Sequence, residues 1–354
     1  MFTKSKLLIT SVIAAAMLCS CAGQGEGSSD SASSQDNGTA TTRATVTLPA
    51  ESTEAPDESS EAEQKTDKGD SCTPLMWKIT NADGSEMILM GSMHALRPEI
   101  YPLPDRIMTA YENAEVLAVE CDITSITGGF AAQLALLKNM TYEDENETLE
   151  THLSKETYEN ISSFFEANGY SMDIVKHYKT WMASSLLEDI VTEKSDLHAE
   201  SGIDVNLLQM AHDDGKEIYE VESYKFQMNM MMDFSDEVYD LVMNGYSADG
   251  EQELIEQSEQ MYEVWKNGDL AEVEDFLLSE DEEAYAELTD EQIELLDEYN
   301  STMLYDRNIG MADAAEKLLK EHKNSFFVVG LAHFIGDGGI IDLLTQRGYT
   351  VEQI

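Results

Sequence analysis

The chain has 354 residues, 70 of them acidic and 21 basic, which gives a formal charge of −49. So acidic a chain argues against a nucleic-acid partner, whose affinity depends on Lys and Arg neutralising phosphates, and against a bare anionic membrane surface. The same field attracts a cationic peptide or a divalent ion, although acidity also serves solubility alone.

Two lysines, Lys4 and Lys6, precede an apolar run from Leu7 to Leu18. That run has the length of a signal-peptide core and is too short to span a membrane as a mature helix. The next residues, Leu18-Cys-Ser-Cys21-Ala-Gly, resemble the lipobox of bacterial lipoproteins, in which cleavage precedes a cysteine that becomes diacylated. The resemblance makes residues 1–20 a signal peptide and Cys21 the lipidated N-terminus; an ordinary secretory signal with a chance cysteine is the alternative. Residues 22–71 contain no Phe, Trp or Tyr and are dominated by Ser, Thr, Gly, Glu and Asp. Such a segment buries too little apolar surface to offset its ordering entropy. Residues 21–71 are therefore expected to form a disordered acidic linker. It would hold a domain, residues 72–354, off the extracytoplasmic face of the cell membrane. An exported domain allows a disulfide between its two cysteines, Cys72 and Cys121. Two buried thiols are the plainer alternative, and neither cysteine has CxxC spacing.

The segment Trp77 to Met90 reads as a hairpin turning at Asn81-Ala-Asp-Gly84. Its second strand is the apolar run Met87-Ile-Leu-Met90, and Gly91-Ser-Met-His94 follows. Glycine at a strand's end permits a tight turn or a close backbone approach, so His94 can point into whatever lies at the sheet's edge. Pro98, Pro102 and Pro104 lead into a helix over Pro104 to Ala114, with proline near its first turn. Glu115 to Asp122 is a third short apolar strand ending in acid, with Glu120 near its end.

Residues 130–300 are mainly helical by periodicity. Ile174, Tyr178, Trp181, Met182, Ser185 and Leu186 fall on one face, and Leu254, Met261, Trp265, Leu270 to Leu278 and Ile293 to Met303 continue the pattern. Gly202-Ile-Asp204 opens a helix that ends at Gly215, and Glu217 to Glu222 is another strand ending in acid. The run Met228-Asn-Met-Met-Met232 is read first as core filler and second as the lining of an adaptable peptide groove. Near the C-terminus, Phe326-Phe-Val-Val-Gly-Leu-Ala-His333 repeats the order of apolar run, Gly, two residues, His. Gly336 to Gly339 is a turn into a helix over Ile340 to Gln346, and Tyr349 to Ile354 is a last strand. The expected fold is mixed α/β (α+β). Its central sheet draws strands from both chain ends, carries two strand-Gly-x-x-His corners and is covered by a largely helical middle insertion.

The order of strand-Gly91-Ser-Met-His94, proline-bearing segment, helix and Val116-Leu-Ala-Val-Glu120-Cys-Asp122 resembles the TraB/GumN family. That wider group includes bacterial pheromone-shutdown proteins and the animal Tiki membrane metalloproteases. The resemblance covers nearly all of residues 75–354. It implies that His94 and His333 are the family's paired histidines, with Gly91 and Gly330 as their glycines, and that Glu120 is its strand-end glutamate. Arg307, in Leu304-Tyr-Asp-Arg-Asn-Ile-Gly-Met-Ala312, matches the arginine that precedes the second histidine. Gly202-Ile-Asp204 and the strand ending at Glu222 are further family-like pieces. The resemblance implies Mn²⁺ or a similar ion.

Read without the family, two neutral imidazoles and a carboxylate are a common ligand set for a catalytic divalent ion with open positions. Such ligands equally allow Zn²⁺, Co²⁺ or Fe²⁺. His94, His333 and Glu120 supply the set, and Arg307 is placed to stabilise an oxyanion. Glu120 is either a ligand or the general base. The plain alternatives are a solvated carboxylate for Glu120, a surface cation for Arg307 and a helix cap for Asp204. Glu222 and Asp204 are read as supporting neighbours. There is no HExxH and no GxSxG, which disfavours an ordinary zincin and makes Ser92 a poor nucleophile. His152, His177, His198, His212 and His322 are read as structural or exposed. Two functions fit: a membrane-tethered, divalent-metal-dependent hydrolase acting on peptides or small proteins, or a non-catalytic surface protein that sequesters short peptides. Haem binding through the paired histidines is weaker, for want of an attachment motif.

Overall fold

The computed structural model describes residues 72–81, 84–125, 138–279, 286, 288–321 and 324–354. The expected signal peptide, Cys21, the linker and His322 lie outside them. Six strands form one sheet: β1 (Met76–Thr80), β2 (Glu86–Ser92), β3 (Val116–Val119), β4 (Glu217–Glu220), β5 (Asn324–Gly330) and β6 (Val351–Gln353), in the order β4-β3-β5-β2-β1-β6. β1 pairs antiparallel with β2 and β6, whereas β2 with β5, β5 with β3, and β3 with β4 are parallel. The sheet does draw on both chain ends, as the sequence suggests. Its middle strands read as unbroken apolar runs because both faces are covered: every residue of β3 is buried, as is β5 from Ser325 onward. The edge strands β4 and β6 are partly exposed and carry glutamates, which discourages further strand pairing.

The helices are α1 (Asp105–Asn113), α2 (Leu149–His152), α3 (Lys155–Ala167), α4 (Met172–Val175), α5 (Thr180–Lys194), α6 (Ile203–Asp214) and α7 (Tyr224–Asp233). They continue with α8 (Asp236–Met243), α9 (Glu251–Asn267), α10 (Leu270–Leu278), α11 (Asp290–Asn300), α12 (Asp306–Glu321) and α13 (Ile340–Gln346). Two apolar cores result. One joins the sheet to α1, α6, α9, α12 and α13 through residues such as Tyr111, Leu207, Trp265, Leu318 and Leu344. The other lies among α3, α5, α7, α8 and α11, with Phe164, Phe165, Leu187, Met231 and Tyr239 fully enclosed. Each large side chain so buried contributes about 1.5–3 kcal/mol.

Three expectations are refined. The single helical face drawn through Ile174 and Leu186 does not exist, because α4 ends at Val175 and α5 starts at Thr180. Ile174 is 62% exposed, and the buried face of α5 runs through Ala183, Leu187, Ile190 and Val191 instead. Met228 and Met231 are buried in the second core, with Met230 and Met232 packed against it, so this run is core filler. Cys72 and Cys121 are buried and not joined to each other; the Cys121 thiol donates to Gln227 Oε1 at 3.2 Å. Among the described residues no helix is long and apolar enough to cross a membrane.

Glu188 sits in the second core, 3% exposed, with one carboxylate oxygen unpartnered. Burial, and then the charge of Asp189, push its carboxyl well above the ordinary 4.5. The folded chain therefore keeps a proton that the unfolded chain releases, and stability is lost as the pH rises above 4.5. Glu188→Gln is expected to raise the urea midpoint at about pH 7 and to leave it nearly unchanged at about pH 4. Equal effects at both pH values would contradict this assignment.

Candidate functional site

Four parallel strands end on the same edge of the sheet, and each delivers a polar side chain there. His94 follows β2, His333 follows β5, Glu120 follows β3 and Glu222 lies two residues beyond β4. The carboxyl ends of parallel strands are where open α/β sheets bind ligands. The register pairs Gly91 with Val329 and Ser92 with Gly330, so the two Gly-x-x-His corners leave the sheet side by side.

Close approach, not a positive φ, explains both glycines. A Cβ on Gly91 would stand 2.5 Å from Leu331 Cδ1 and 3.0 Å from Leu331 Cα, so the first corner packs directly on the second. A Cβ on Gly330 would meet Glu120 Oε1 at 3.3 Å, His333 Cδ2 at 3.5 Å and His94 Nε2 at 3.7 Å. Gly330 is thus the point at which the two imidazoles and the carboxylate converge. The indole of Trp265, on α9, donates to the Gly91 carbonyl at 2.9 Å and braces the first corner from the other side.

Each imidazole is oriented through Nδ1. His94 Nδ1 lies 2.8 Å from Asp204 Oδ2, and His333 Nδ1 lies 2.7 Å from Asn308 Oδ1. The Asn308 amide nitrogen donates to the Gly338 carbonyl, which turns its oxygen toward the ring. Nδ1 of both rings accordingly donates, and Nε2 is the atom left for the shared space. A carboxylate or carbonyl holding the outer nitrogen is the usual arrangement behind metal-binding histidines. Asp204 is no helix cap: it is the second residue of α6, whose N-cap is Gly202, and its carboxylate is turned to His94. Burial alone would push the His94 pKa down, but the charge and hydrogen bond of Asp204, aided by Glu120, outweigh it and leave it raised. Burial, then the Arg307 charge, hold His333 well below its ordinary 6.5.

Arg307 is 6% exposed and bound on all sides, so it is not a surface cation. It enters from α12 immediately after a π-helical turn, Ser301–Tyr305, that interrupts the run from α11. Such turns are frequent at functional sites because they re-aim the side chains that follow. Its Nη2 donates to Glu120 Oε2 at 2.6 Å and Glu222 Oε2 at 2.8 Å, Nε donates to Glu222 Oε1 at 2.9 Å, and Nη1 donates to the Met303 carbonyl at 3.0 Å. Four of the five guanidinium N–H groups are engaged. Gln227 bridges Glu120 and Glu222 at 3.0 Å each, and the Gly330 N–H donates to Glu120 Oε1 at 2.8 Å. Glu120 Oε1 also lies 3.7 Å from His333 Nε2.

All four predicted site residues, His94, His333, Glu120 and Arg307, come together, with Asp204 and Glu222 beside them. Among the described residues, however, no group of three or more His, Cys, Asp or Glu side chains stands ready to hold a metal ion. Glu120 is bonded to Arg307, Gln227 and the Gly330 N–H. Asn308 and Gln227 are not among the residues that the sequence singles out. Asn308 directly follows Arg307, a position that points to it; Gln227, on α7, carries no sequence signal. Other histidines make local contacts: His212 pairs with Asp122 at 2.8 Å, and His152 with Asp236 at 2.6 Å.

Among known proteins, residues 75–353 match the model of the TraB/PrgY/gumN family. The uncharacterized protein YbaP of Escherichia coli (strain K12) is 30% identical over 158 residues, 45% of this chain and 56% of that protein. The metalloprotease TIKI2 of Xenopus tropicalis is 38% identical over 68 residues, 19% of this chain and 13% of that protein. The metalloprotease TIKI homolog of Nematostella vectensis is 37% identical over 62 residues, 17% and 13% of the two chains. The chain thus spans about half the length of the YbaP relatives it matches. No solved structure gives a significant match.

Arg307→Met leaves the buried Glu120 and the half-buried Glu222 without their cation and is expected to cost about 3–5 kcal/mol in a denaturant titration. Adding Glu120→Gln and Glu222→Gln should recover most of that loss; no recovery would show that the guanidinium matters for packing alone. In metal-free protein, the raised His94 contributes stability below about pH 6.5 that is lost as the pH rises through its folded value. The depressed His333 has the opposite sign and costs stability as the pH falls below 6.5. Asp204→Asn removes the first contribution and keeps the second, so the variant's urea midpoint should fall more steeply with acid than the parent's. Imidazole NMR should show His94 protonating at lower pH in the variant, and an unchanged titration would refute the pairing.

Proposed function

Because the chain belongs to the TraB/PrgY/gumN family, whose model matches residues 75–353, we propose that it is a divalent-metal-dependent hydrolase of peptides or small proteins. The observation that carries this reading is the convergence of His94 and His333 on Gly330, each with Nδ1 held by an oxygen and Nε2 turned to a common space. The partial similarity to proteins named metalloproteases supports the same class. The residues fit an ion in part: His94 and His333 would hold it through Nε2, with Glu120 Oε1 beside them. Mn²⁺ is the first ion to test, with Zn²⁺, Co²⁺ and Fe²⁺ next. When bound, such an ion supplies an acidified water and polarisation of a carbonyl.

The chain's own residues divide the remaining work. Asp204 and Asn308 fix the rings, and the depressed His333 stays neutral, which keeps its Nε2 lone pair available near neutral pH. Glu120 is held by the Gly330 N–H with Oε1 toward the imidazoles, in position to accept a proton or to ligate. Arg307, with most of its donors engaged, is a positioning residue for Glu120 more than an oxyanion donor. In this reading a lipid on Cys21 tethers the domain to the extracytoplasmic face of the membrane, where peptides reach it.

A second reading, metal-free capture of short peptides, is favoured by one observation: Arg307 already neutralises the carboxylate that would complete a ligand set. Incubating the purified chain with a mixed peptide set, with Mn²⁺ or with chelator, and following products by mass spectrometry separates the two. The hydrolase reading expects metal-dependent cleavage that falls at least about 100-fold in His94→Ala and in His333→Ala. Normal cleavage in both variants would sink it, and peptide binding that survives chelator without cleavage would favour capture.

A further inference from the structure

Glu120 and Glu222 both turn Oε2 to the same nitrogen, Arg307 Nη2, which donates to them at 2.6 and 2.8 Å. A single guanidinium nitrogen between two carboxylates leaves like charges facing each other in a nearly closed space, where repulsion drives them apart. A second nitrogen sits between them. Gln227 Nε2 donates to the same two oxygens, at 3.0 Å each. Two nitrogens thus alternate with two oxygens around a ring, and each nitrogen has two protons to give, one for each carboxylate. All the protons on both nitrogens are used.

The backbone delivers Gln227 to this ring. Glu222 follows β4, Ser223 caps α7 by accepting from the Phe226 N–H, and Gln227 lies one turn into that helix, 5% exposed. Its amide can face only one way. Oε1 accepts from the thiol of Cys121, the residue after Glu120, at 3.2 Å, and a reversed amide would set its oxygen against two carboxylates. The residue type matters as well: a carboxylate at this position would add charge, and a hydroxyl has a single proton. A lysine would cancel the one negative charge that two carboxylates and a guanidinium leave. We infer that Gln227 is a positioning residue for Glu120: together with Arg307 it fixes Oε2 and so presents Oε1 to the imidazoles. Oε1 is the oxygen that the Gly330 N–H holds at 2.8 Å, 3.7 Å from His333 Nε2. The role takes its catalytic meaning from the hydrolase reading, but its geometry stands without that reading.

The test reads the Gly330 amide proton by NMR in the purified full chain without metal. Val329-Gly330 is the only Val-Gly pair in the sequence, so isotopic labelling of the valine carbonyl carbon and the glycine nitrogen isolates its signal. A charged acceptor deshields the amide proton that it holds. Gln227→Met keeps the bulk and removes both protons, and the Gly330 proton is expected to move upfield as Glu120 swings away from Glu222. In Gln227→Met/Glu222→Gln only one of the two carboxylates remains, and the signal should return to its parent position. A role in packing alone gives neither the shift nor its rescue. With Mn²⁺ present, peptide cleavage should fall about 10–100-fold in Gln227→Met. Circular dichroism checks folding, and Gln227→Asn, whose amide stops one methylene short, takes the place of Gln227→Met if that variant does not fold. An unmoved Gly330 signal in the folded variant, a shift that Glu222→Gln does not reverse, or cleavage at the parent's rate overturns the inference and leaves the hydrolase reading standing. The shift and its rescue, in a parent chain that shows no metal-dependent cleavage, support the inference and overturn the hydrolase instead.

Discussion

The parallel pairing of β2 with β5 is the constraint on which the site depends. The two strands are separated by more than two hundred residues of chain, yet they are neighbours running the same way, in a register that sets Ser92 opposite Gly330. Parallel direction sends both corners out of one edge, and the register sets them shoulder to shoulder. An antiparallel pairing would put the two histidines at opposite ends of the sheet. Burial of Phe326, Phe327, Leu89 and Met90 in the shared core holds the pairing in place. The helical residues between the strands close over a sheet whose geometry both chain ends define.

What gathers at that edge is costly to bury. Glu120, Glu222 and Arg307 form an enclosed cluster with one more carboxylate than guanidinium, and two nearly buried imidazoles lie beside it. Such clusters rarely increase stability over apolar packing of the same volume, so their presence is better explained by chemistry. The rings respond differently to the same surroundings. Asp204 stabilises a proton on His94, whereas burial and the facing Arg307 charge disfavour one on His333, whose Nδ1 partner is a neutral amide. Two imidazoles that differ in this way suit a centre in which one ring remains neutral while its neighbour's charge responds to conditions.

The sequence makes some of this legible and hides the rest for definite reasons. His94 and His333 are recognisable because each follows an apolar run and a glycine, a local pattern that long-range pairing then brings together. Glu120 is legible as the acid at a strand's end. Asp204 looks like a helix cap because only the tertiary fold turns its carboxylate toward His94, and Gln227 sits on a helix whose methionines announce burial without announcing the polar bridge among them. Arg307 reads equally well as a surface cation until the π-helical turn before it directs the side chain inward. In the middle helices, amphipathic spacing identifies helical chain but passes over the break between Val175 and Thr180, so Ile174, which the spacing puts on one face with Trp181 and Leu186, emerges at the surface.

In the function proposed above, the two corners make one ion-binding centre. Calorimetric titration of the purified chain with Mn²⁺, beside the His94→Ala/His333→Ala double variant, tests it most directly, because the variant reports the loose binding that so acidic a surface gives on its own. A tight site of about one ion per chain that vanishes in the double variant is expected. Equal, weak binding by both proteins would contradict it and leave the paired imidazoles as structural groups.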